Sequence, residues 1–179
     1  MSEIQIRPTV ATDLQKLMAF DHNITSESVW QLELKRTAGQ INASFREVRL
    51  PRSISVEYPH NKFSLADDWV RKSMMFSAVS GQDPVGYIGL LERGSASAVW
   101  ITDLAVQSSA RRRGIASALL VAAQSWAEVR LHRRLILETQ SKNLPAIRLA
   151  QKLGYEFSGY NDQYYLNQDV ALFFTKILK

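Results

Sequence analysis

Two sets of residues in this 179-residue chain have types and spacing suited to chemistry. The first is the run Gln107-Ser108-Ser109-Ala110-Arg111-Arg112-Arg113-Gly114-Ile115-Ala116, followed by Ser117. It joins an apolar extended segment, Ile101–Val106, to an amphipathic helical one, Gly114–Trp126. A helix start leaves about four backbone N–H groups without intrahelical partners, and the helix dipole adds partial positive charge there. Such a start favours an anion. Gly114 has no Cβ where a pyrophosphate would meet the backbone, and Ala116 and Ser117 keep the first turn slim. Arg111, Arg112 and Arg113 add charge-assisted donors for phosphate oxygens. A short Arg-x-x-Gly-x-Ala pattern also occurs at ordinary helix starts. The strand before it and the helix after it supply the context that a phosphate cradle needs.

The second set is a pair of carboxylates on apolar strands. Asp103 sits among Ile101, Leu104, Ala105 and Val106, and Glu138 follows Leu135, Ile136 and Leu137. A carboxylate in such company is expensive to bury unless it is paired or functional. Each is a candidate general base or an electrostatic anchor for a cation, and each could instead pair with an arginine or cap a loop. Glu138 is the stronger candidate. Alternation alone does not say which face either side chain takes.

These groups need a scaffold. Ile4–Arg7 reads as a short strand, and Ala11–Phe20 as a helix capped by Thr9 or Thr12. Helical spacing resumes over Ser26–Ala38 through Val29, Trp30, Leu32 and Leu34. Ile41–Tyr58 reads as two extended pieces divided by Pro51. Asp67–Lys72 reads as a short helical connector. Met74–Ser80, Val85–Glu92 and Val99–Val106 form an antiparallel meander with turns at Gly81–Pro84 and Gly94–Ser97. The period then changes to 3.6, with Ile115, Leu119, Ala122 and Trp126 on one helical face. Leu135–Thr139 is a buried strand. Asn143 opens a helix with Ala146, Leu149 and Leu153 inward, and Gly154 stops it. Tyr155–Tyr160 and Tyr164–Leu166 are extended, and Val170–Leu178 is a last strand. The fold class is α+β, with a mostly antiparallel sheet of about six or seven strands flanked by helices.

Composition narrows the choices. The length suits a single domain, 1–179. Apolar residues make up 46% of the chain, enough for a packed core. There is no cysteine, which removes thiolate catalysis, disulfides and Cys metal ligands. The three histidines, His22, His60 and His132, show no ligand spacing, so no metal is expected. Met1–Val10 is no signal peptide, and no stretch approaches ~18 apolar residues, so a cytoplasmic protein without a membrane span is expected. The net charge of +5 gathers at Arg111–Arg113 and at Arg130, His132, Arg133 and Arg134. Aromatic interleaving on a basic face is lacking, and no nucleic-acid partner is expected.

At this point the chain resembles a known family. Ile101-Thr102-Asp103-Leu104-Ala105-Val106, then Arg111-x-x-Gly114-x-Ala116, then Leu119-Leu120, resembles motif A of the GNAT N-acetyltransferase superfamily. Asn143-x-x-Ala146-x-x-Leu149, ending in Lys152-Leu153-Gly154-Tyr155, resembles its motif B. Residues 74–178 carry the resemblance well and residues 1–20 loosely. Within the family, Leu137-Glu138-Thr139-Gln140 with Asn143 is most similar to streptothricin acetyltransferases. The resemblance implies an acyl-CoA-binding core over 74–178, with acetyl-CoA as co-substrate, and an acceptor-side part over 1–73. It implies that Leu104, Ala105 and Val106 offer backbone to the pantetheine arm, where the strand splays from its neighbour. It gives the pyrophosphate to Arg111, Arg112, Arg113, Gly114, Ile115, Ala116 and Ser117, and a pantetheine or adenosine contact to Asn143.

Acyl transfer to an amine needs a base, donors for the oxyanion, and at times a proton for the departing thiolate. Motif B commonly carries a tyrosine directly after the Leu149 position as that proton donor, and this chain has Ala150 there. Tyr155, Tyr160, Tyr164 or Tyr165 could substitute, and Tyr164 joins Glu138 and Asp103 in the candidate catalytic set. The expected acceptor is the primary amine of a small molecule, such as an aminoglycoside-like or streptothricin-like antibiotic or a polyamine. A protein or peptide amine, and a non-catalytic acyl-CoA sensor, remain the other readings. Either a monomer or a homodimer is compatible, the latter through an edge strand at Val170–Leu178.

Overall fold

The computed structural model of the chain describes residues 3–93 and 97–179. In chain order, β1 (Ile4–Pro8) and α1 (Ala11–Met18) are followed by β2 (Ile24–Thr37) and β3 (Gln40–Val56). A 3₁₀ turn, Lys62–Ser64, leads into α2 (Leu65–Trp69). The strands β4 (Met74–Ser80), β5 (Asp83–Glu92) and β6 (Ala98–Val106) come next, then α3 (Ile115–Val129), β7 (Arg134–Gln140), α4 (Leu144–Lys152), β8 (Glu156–Asn161) and β9 (Ala171–Ile177). Seven strands form one sheet in the order β1-β4-β5-β6-β7-β9-β8, and β2 and β3 form a second sheet of their own. Among the described residues, only the β6–β7 pairing in the larger sheet is parallel. That parallel step needs a crossover, which α3 supplies. The expected α+β class and the antiparallel meander β4-β5-β6 are therefore found. Of the expected turn at Gly94–Ser97, Gly94, Ser95 and Ala96 lie outside the described residues.

Two cores cover the two faces of the large sheet. The larger packs α3 and α4 through Ile115, Leu119, Ala123, Ala127, Ile147 and Ala150 against Val99, Ile101, Leu135 and Leu137. The smaller packs α1 and α2 through Leu14, Leu17 and Leu65 against Met75, Tyr87 and Ala105. One irregularity lets β6 serve both. Gly89 pairs with Asp103 and Leu90 with Ile101, so Thr102 is an extra residue on β6. An inserted residue reverses the alternation. Val99 and Ile101 therefore face the larger core, while Asp103 and Ala105 turn to the α1–α2 face. Gly89 is the residue that permits the bulge. A Cβ there would lie 2.9 Å from Asp103 Oδ2.

Several sequence expectations are corrected. Ser26–Ala38 is strand, not helix: Trp30, Leu32 and Leu34 alternate with polar residues at period two, and their cross-strand partners on β3 decide the conformation. β3 runs unbroken through Pro51, although the ladder shifts register at that point, between Ser26/Ile54 and Ser28/Arg49. Proline is tolerated because the bulge asks no hydrogen bond of it. The helical connector lies at Leu65–Trp69 rather than Asp67–Lys72. Neither Thr9 nor Thr12 caps α1. The carboxylate of Asp13 accepts from the Val10 N–H at 3.1 Å, while Arg7 donates to Asp13 through both terminal nitrogens at 2.7 and 2.9 Å. On α4 the buried residues are Leu144, Ile147 and Ala150, one position round from the expected face. Tyr164–Leu166 is a turn, not a strand. β9 is not an edge: it lies between β7 and β8, which removes it as a pairing edge for a second copy.

The β2–β3 sheet is held at its base. Trp30 meets Phe174 edge-on, Phe45 packs on Phe157 and Tyr160, and the backbone N–H of Trp30 donates to the Ser141 carbonyl at 2.8 Å. Such anchoring is needed because a two-stranded hairpin alone is marginal in water. Among the described residues, no helix is long and apolar enough to cross a membrane.

Candidate active site

The parallel ladder between β6 and β7 stops early. It runs from Ala98↔Arg134 to Ile101↔Leu137, although β6 continues to Val106 and β7 to Gln140. Beyond Ile101 each strand keeps only its outer partner. Gly89, Ile88, Tyr87 and Gly86 of β5 hold Asp103–Val106, and Phe173, Leu172 and Ala171 of β9 hold Glu138–Gln140. The two strands part like the arms of a V. A cleft opens between them, lined by Thr102–Val106 on one arm, Leu137–Gln140 on the other, and Asn143 and Ala146 of α4. The inner edge of each arm presents unpaired strand backbone, to which an amide-bearing chain can add.

At one end of the cleft the chain turns into α3. Ser108–Ala110 makes a single 3₁₀ turn, and Arg112 and Gly114 adopt left-handed conformations at φ +64° and +79°. Such alternation turns successive N–H groups toward one point. α3 then starts at Ile115 with no side-chain cap and no acidic residue in its first turn. A Cβ on Gly114 would meet nothing within 4 Å, so the space before the helix is open. Ile115 is buried in the larger core and can offer only its backbone. Of the three arginines, Arg111 lines the cleft, but its guanidinium already donates to the carbonyls of Val106 and Asp21, both at 2.9 Å. Arg112 and Arg113 are exposed. Asn143 lines the cleft while its side chain caps α4, accepting from the Ala146 N–H at 3.1 Å.

Asp103 and Glu138 both line this cleft, on the face that carries α1 and α2, and their surroundings differ. Asp103 is a buried ion pair. Lys72 Nζ lies 2.6 Å from its Oδ2 and 2.6 Å from Thr102 Oγ1, Thr102 donates to it at 2.8 Å, and Tyr58 donates to its other oxygen. Burial pushes its pKa up, but the Lys72 charge and these donors more than offset that and hold it below the usual carboxylate range. Glu138 has no such cation. Burial dominates and raises its pKa, against the opposing pull of His60, Tyr164, Arg93 and Tyr165. The Tyr164 hydroxyl donates to Glu138 Oε2 at 3.1 Å. A buried carboxylate with a raised pKa is a proton acceptor tuned toward neutral pH.

Aromatic residues line one side of the cleft. His22, Tyr58, His60 and Tyr165 all line the cleft. Successive ring centroids lie 4.8 Å apart from His22 to Tyr58, 5.5 Å on to His60 and 5.9 Å on to Tyr165. His60 follows β3, whereas Tyr165 belongs to the β8–β9 loop, so two distant segments meet at the cleft wall. His22 donates or accepts at Tyr87 Oη, 3.1 Å away, and burial lowers its pKa, which favours the neutral ring. Sequence reading finds no ligand spacing in these histidines and places Tyr58 only at the end of an extended piece. Lys72 gives no signal in the sequence at all. The alternation through Ile54, Val56 and Tyr58 is the one available hint that Tyr58 shares a face with the buried strand positions.

Of the four tyrosines that could stand in for Ala150, two are remote. Tyr155 is buried in the larger core and its hydroxyl has no partner, and Tyr160 packs on Phe45. Tyr165 lines the cleft, and Tyr164 stands next to it, bonded to Glu138. Ala150 itself is fully buried in the larger core. Among the described residues no group of three metal-ligating side chains comes together.

Comparison with known proteins gives the family and the fold. The sequence model of the Acetyltransferase (GNAT) family matches residues 42–155. No curated protein matches the chain in sequence. Among solved structures, nourseothricin acetyltransferase superposes with a TM-score of 0.82 at 22% identity, over 98% of this chain and 99% of that one. A candidate streptothricin acetyltransferase from Bacillus anthracis strain Ames, in complex with acetyl coenzyme A, gives 0.75 at 20% identity over 98% and 100%. The ribosomal-protein-S18-alanine N-acetyltransferase of Escherichia coli gives 0.70 at 16% over 99% and 95%. At these identities the likeness carries the fold.

Proposed function

The chain belongs to the GNAT acetyltransferase family, and from that premise we propose that it transfers an acetyl group from acetyl-CoA to a primary amine of a small cationic molecule. The observation that carries the reading is the cleft between the parted arms of β6 and β7, with Glu138 at its acceptor side. In this reading the backbone of Leu104, Ala105 and Val106 pairs with the amides of the pantetheine arm. The left-handed turn and free N–H groups of Gly114–Ser117 hold the pyrophosphate, with Arg112 and Arg113 adding charge. Residues 74–178 then form the acyl-CoA-binding core. Residues 1–73 serve the acceptor side through His22 and Tyr58–His60.

Glu138 takes the proton from the ammonium of the bound acceptor, and the amine attacks the thioester carbonyl directly. Asp103, locked to Lys72, is a poor base and instead fixes the Tyr58 hydroxyl at the cleft wall. Tyr165, hydrogen-bonded to Glu138 with Tyr164 beside it, passes its proton to the departing thiolate and takes back the proton that Glu138 has accepted, so both groups return to their starting state. The small-molecule reading is favoured over a peptide acceptor because His60 and Tyr165, from distant segments, approach to 5.9 Å between ring centroids where they line the cleft. A peptide needs a continuous groove there. Cationic character is favoured because Glu57 and Glu138 line the cleft among aromatic rings, a combination that attracts ammonium groups. The names of the nourseothricin and streptothricin neighbours point the same way.

The reading is tested by incubating the protein with acetyl-CoA and a panel of amines and following thiol release. Release with streptothricin or a polyamine is the expected result. Release only with peptides would overturn the acceptor assignment, and tight acetyl-CoA binding without release on any amine would make the protein a sensor. The cradle has its own test. Gly114→Val places a β-branched side chain in the open space before α3 and forces it into a left-handed conformation, which costs about 1–2 kcal/mol. Calorimetric titration is expected to show acetyl-CoA affinity reduced by about tenfold or more, the scale of losing one good charge-assisted contact. An unaltered affinity counts against the helix start as the phosphate site.

A further inference from the structure

The loop between β8 and β9 carries Tyr164 and Tyr165 to Glu138, yet it is a turn with no strand partner at that point. Something outside the two tyrosines must hold it. At its far end Asp169 is buried at 6% exposure, and its carboxylate gathers donors from three places. Gln140, the last residue of β7, donates to Oδ2 at 3.0 Å. Asn167, within the loop, donates to the same oxygen at 3.0 Å. Lys142, between β7 and α4, forms an ion pair with Oδ1. The backbone of Asp169 adds to this: its carbonyl accepts from the Tyr164 N–H at 3.1 Å, and its N–H donates to Asn167 Oδ1 at 3.1 Å. The Ser141 N–H donates to the Val170 carbonyl at 2.9 Å, tying the same region to the end of β7.

Glu138 is two residues before Gln140 on β7. The strand that carries the proposed base is therefore joined, through one buried carboxylate, to the loop that carries its hydroxyl partners. A buried charge held by several hydrogen bonds fixes geometry more firmly than the weak contacts of an exposed turn. We propose that Asp169 is a positioning residue: by binding Gln140, Lys142 and Asn167 together, it keeps Tyr164 and Tyr165 against Glu138. The proposal rests on Glu138 as the base, and it reaches the chemistry only through the two tyrosines.

The test compares Asp169→Asn, which keeps the shape and removes the charge, with Lys142→Met, which leaves Asp169 in place and removes one partner. Hydrogen exchange of residues 162–168 is expected to speed up by about tenfold in both variants, as local opening becomes easier, with α4 and β9 unchanged. Turnover of streptothricin or spermidine, whichever the wild-type protein acetylates, is expected to fall by about tenfold in kcat/KM, with acetyl-CoA affinity preserved. The same Asp169→Asn change in a Tyr164→Phe/Tyr165→Phe background is expected to add little further loss. Unchanged exchange in the loop overturns the proposal, and so does an equal loss in the double-Phe background or a fall in acetyl-CoA affinity. A wild-type protein that acetylates neither amine would defeat the functional reading alone, and the exchange measurement would still decide the anchor.

Discussion

Glu138→Gln is expected to lower kcat by about a hundredfold or more, the scale of losing a general base, while leaving acetyl-CoA affinity intact. The substitution keeps the side chain's size and its hydrogen bond to Tyr164, so packing is preserved. It removes only the ability to accept a proton. Two further readouts separate this from damage to the fold. In the wild-type protein the base works only when ionised, so activity should rise with pH through the Glu138 pKa, which burial places above the ordinary carboxylate range. That acidic limb should disappear in the variant. Stability should move the other way. A carboxyl whose folded-state pKa is raised favours folding while protonated, and that contribution is lost as pH rises from the unfolded to the folded pKa. At neutral pH the wild-type protein therefore carries a burial penalty that glutamine avoids, and Tm should stay level or rise. Normal turnover in Glu138→Gln would remove the base assignment.

Lys72→Met is expected to destabilise the protein by about 3–5 kcal/mol, because it leaves Asp103 buried and without its cation. The Lys72 and Asp103 side chains are 13% and 8% exposed, so solvent cannot replace the lost partner. The pH dependence gives the cause away. In the wild-type protein the lowered Asp103 pKa contributes stability above the unfolded value of about 3.9, and this is lost as pH falls through the lower folded value. Without Lys72 the largest influence opposing burial is gone and the pKa rises. The variant's deficit should then shrink as acid protonates Asp103. Urea unfolding at neutral pH and near pH 4 measures this. Adding Asp103→Asn to Lys72→Met should recover much of the loss, since both charges are then gone. A mild effect that is the same at both pH values would show that the pair is not a buried ion pair in solution.

The parts of this site that could be read in the sequence are those fixed by local pattern. A change of period from two to 3.6 around a glycine marks the strand–turn–helix junction, and backbone physics makes such a junction a candidate anion site. Glu138 stands out because a charge in an apolar strand demands a reason. The remaining parts depend on contacts between distant segments. Whether Ser26–Ala38 is helix or strand is decided by its pairing with β3, since Val29 with Leu32 and Trp30 with Leu34 fit helical spacing while Trp30, Leu32 and Leu34 fit period two. The face taken by Asp103 follows from the bulge at Thr102, which simple alternation does not foresee. Lys72 lies 31 residues from Asp103, and His60 is 105 residues from its neighbour Tyr165, so no local spacing links either pair. The turn at Tyr164–Leu166 reads as extended because its aromatic residues favour strands, whereas the Asp169 cluster holds it as a loop.

The central claim is that acetyl-CoA lies between the parted arms of β6 and β7 with its pyrophosphate at the start of α3. The most direct measurement is a titration of the isotopically labelled protein with coenzyme A, following the backbone amide resonances by NMR. Large shifts at Leu104, Ala105 and Val106 and at Gly114–Ser117 are the predicted result. Saturable binding with those amides unmoved, and the shifts gathered elsewhere on the sheet, would contradict it.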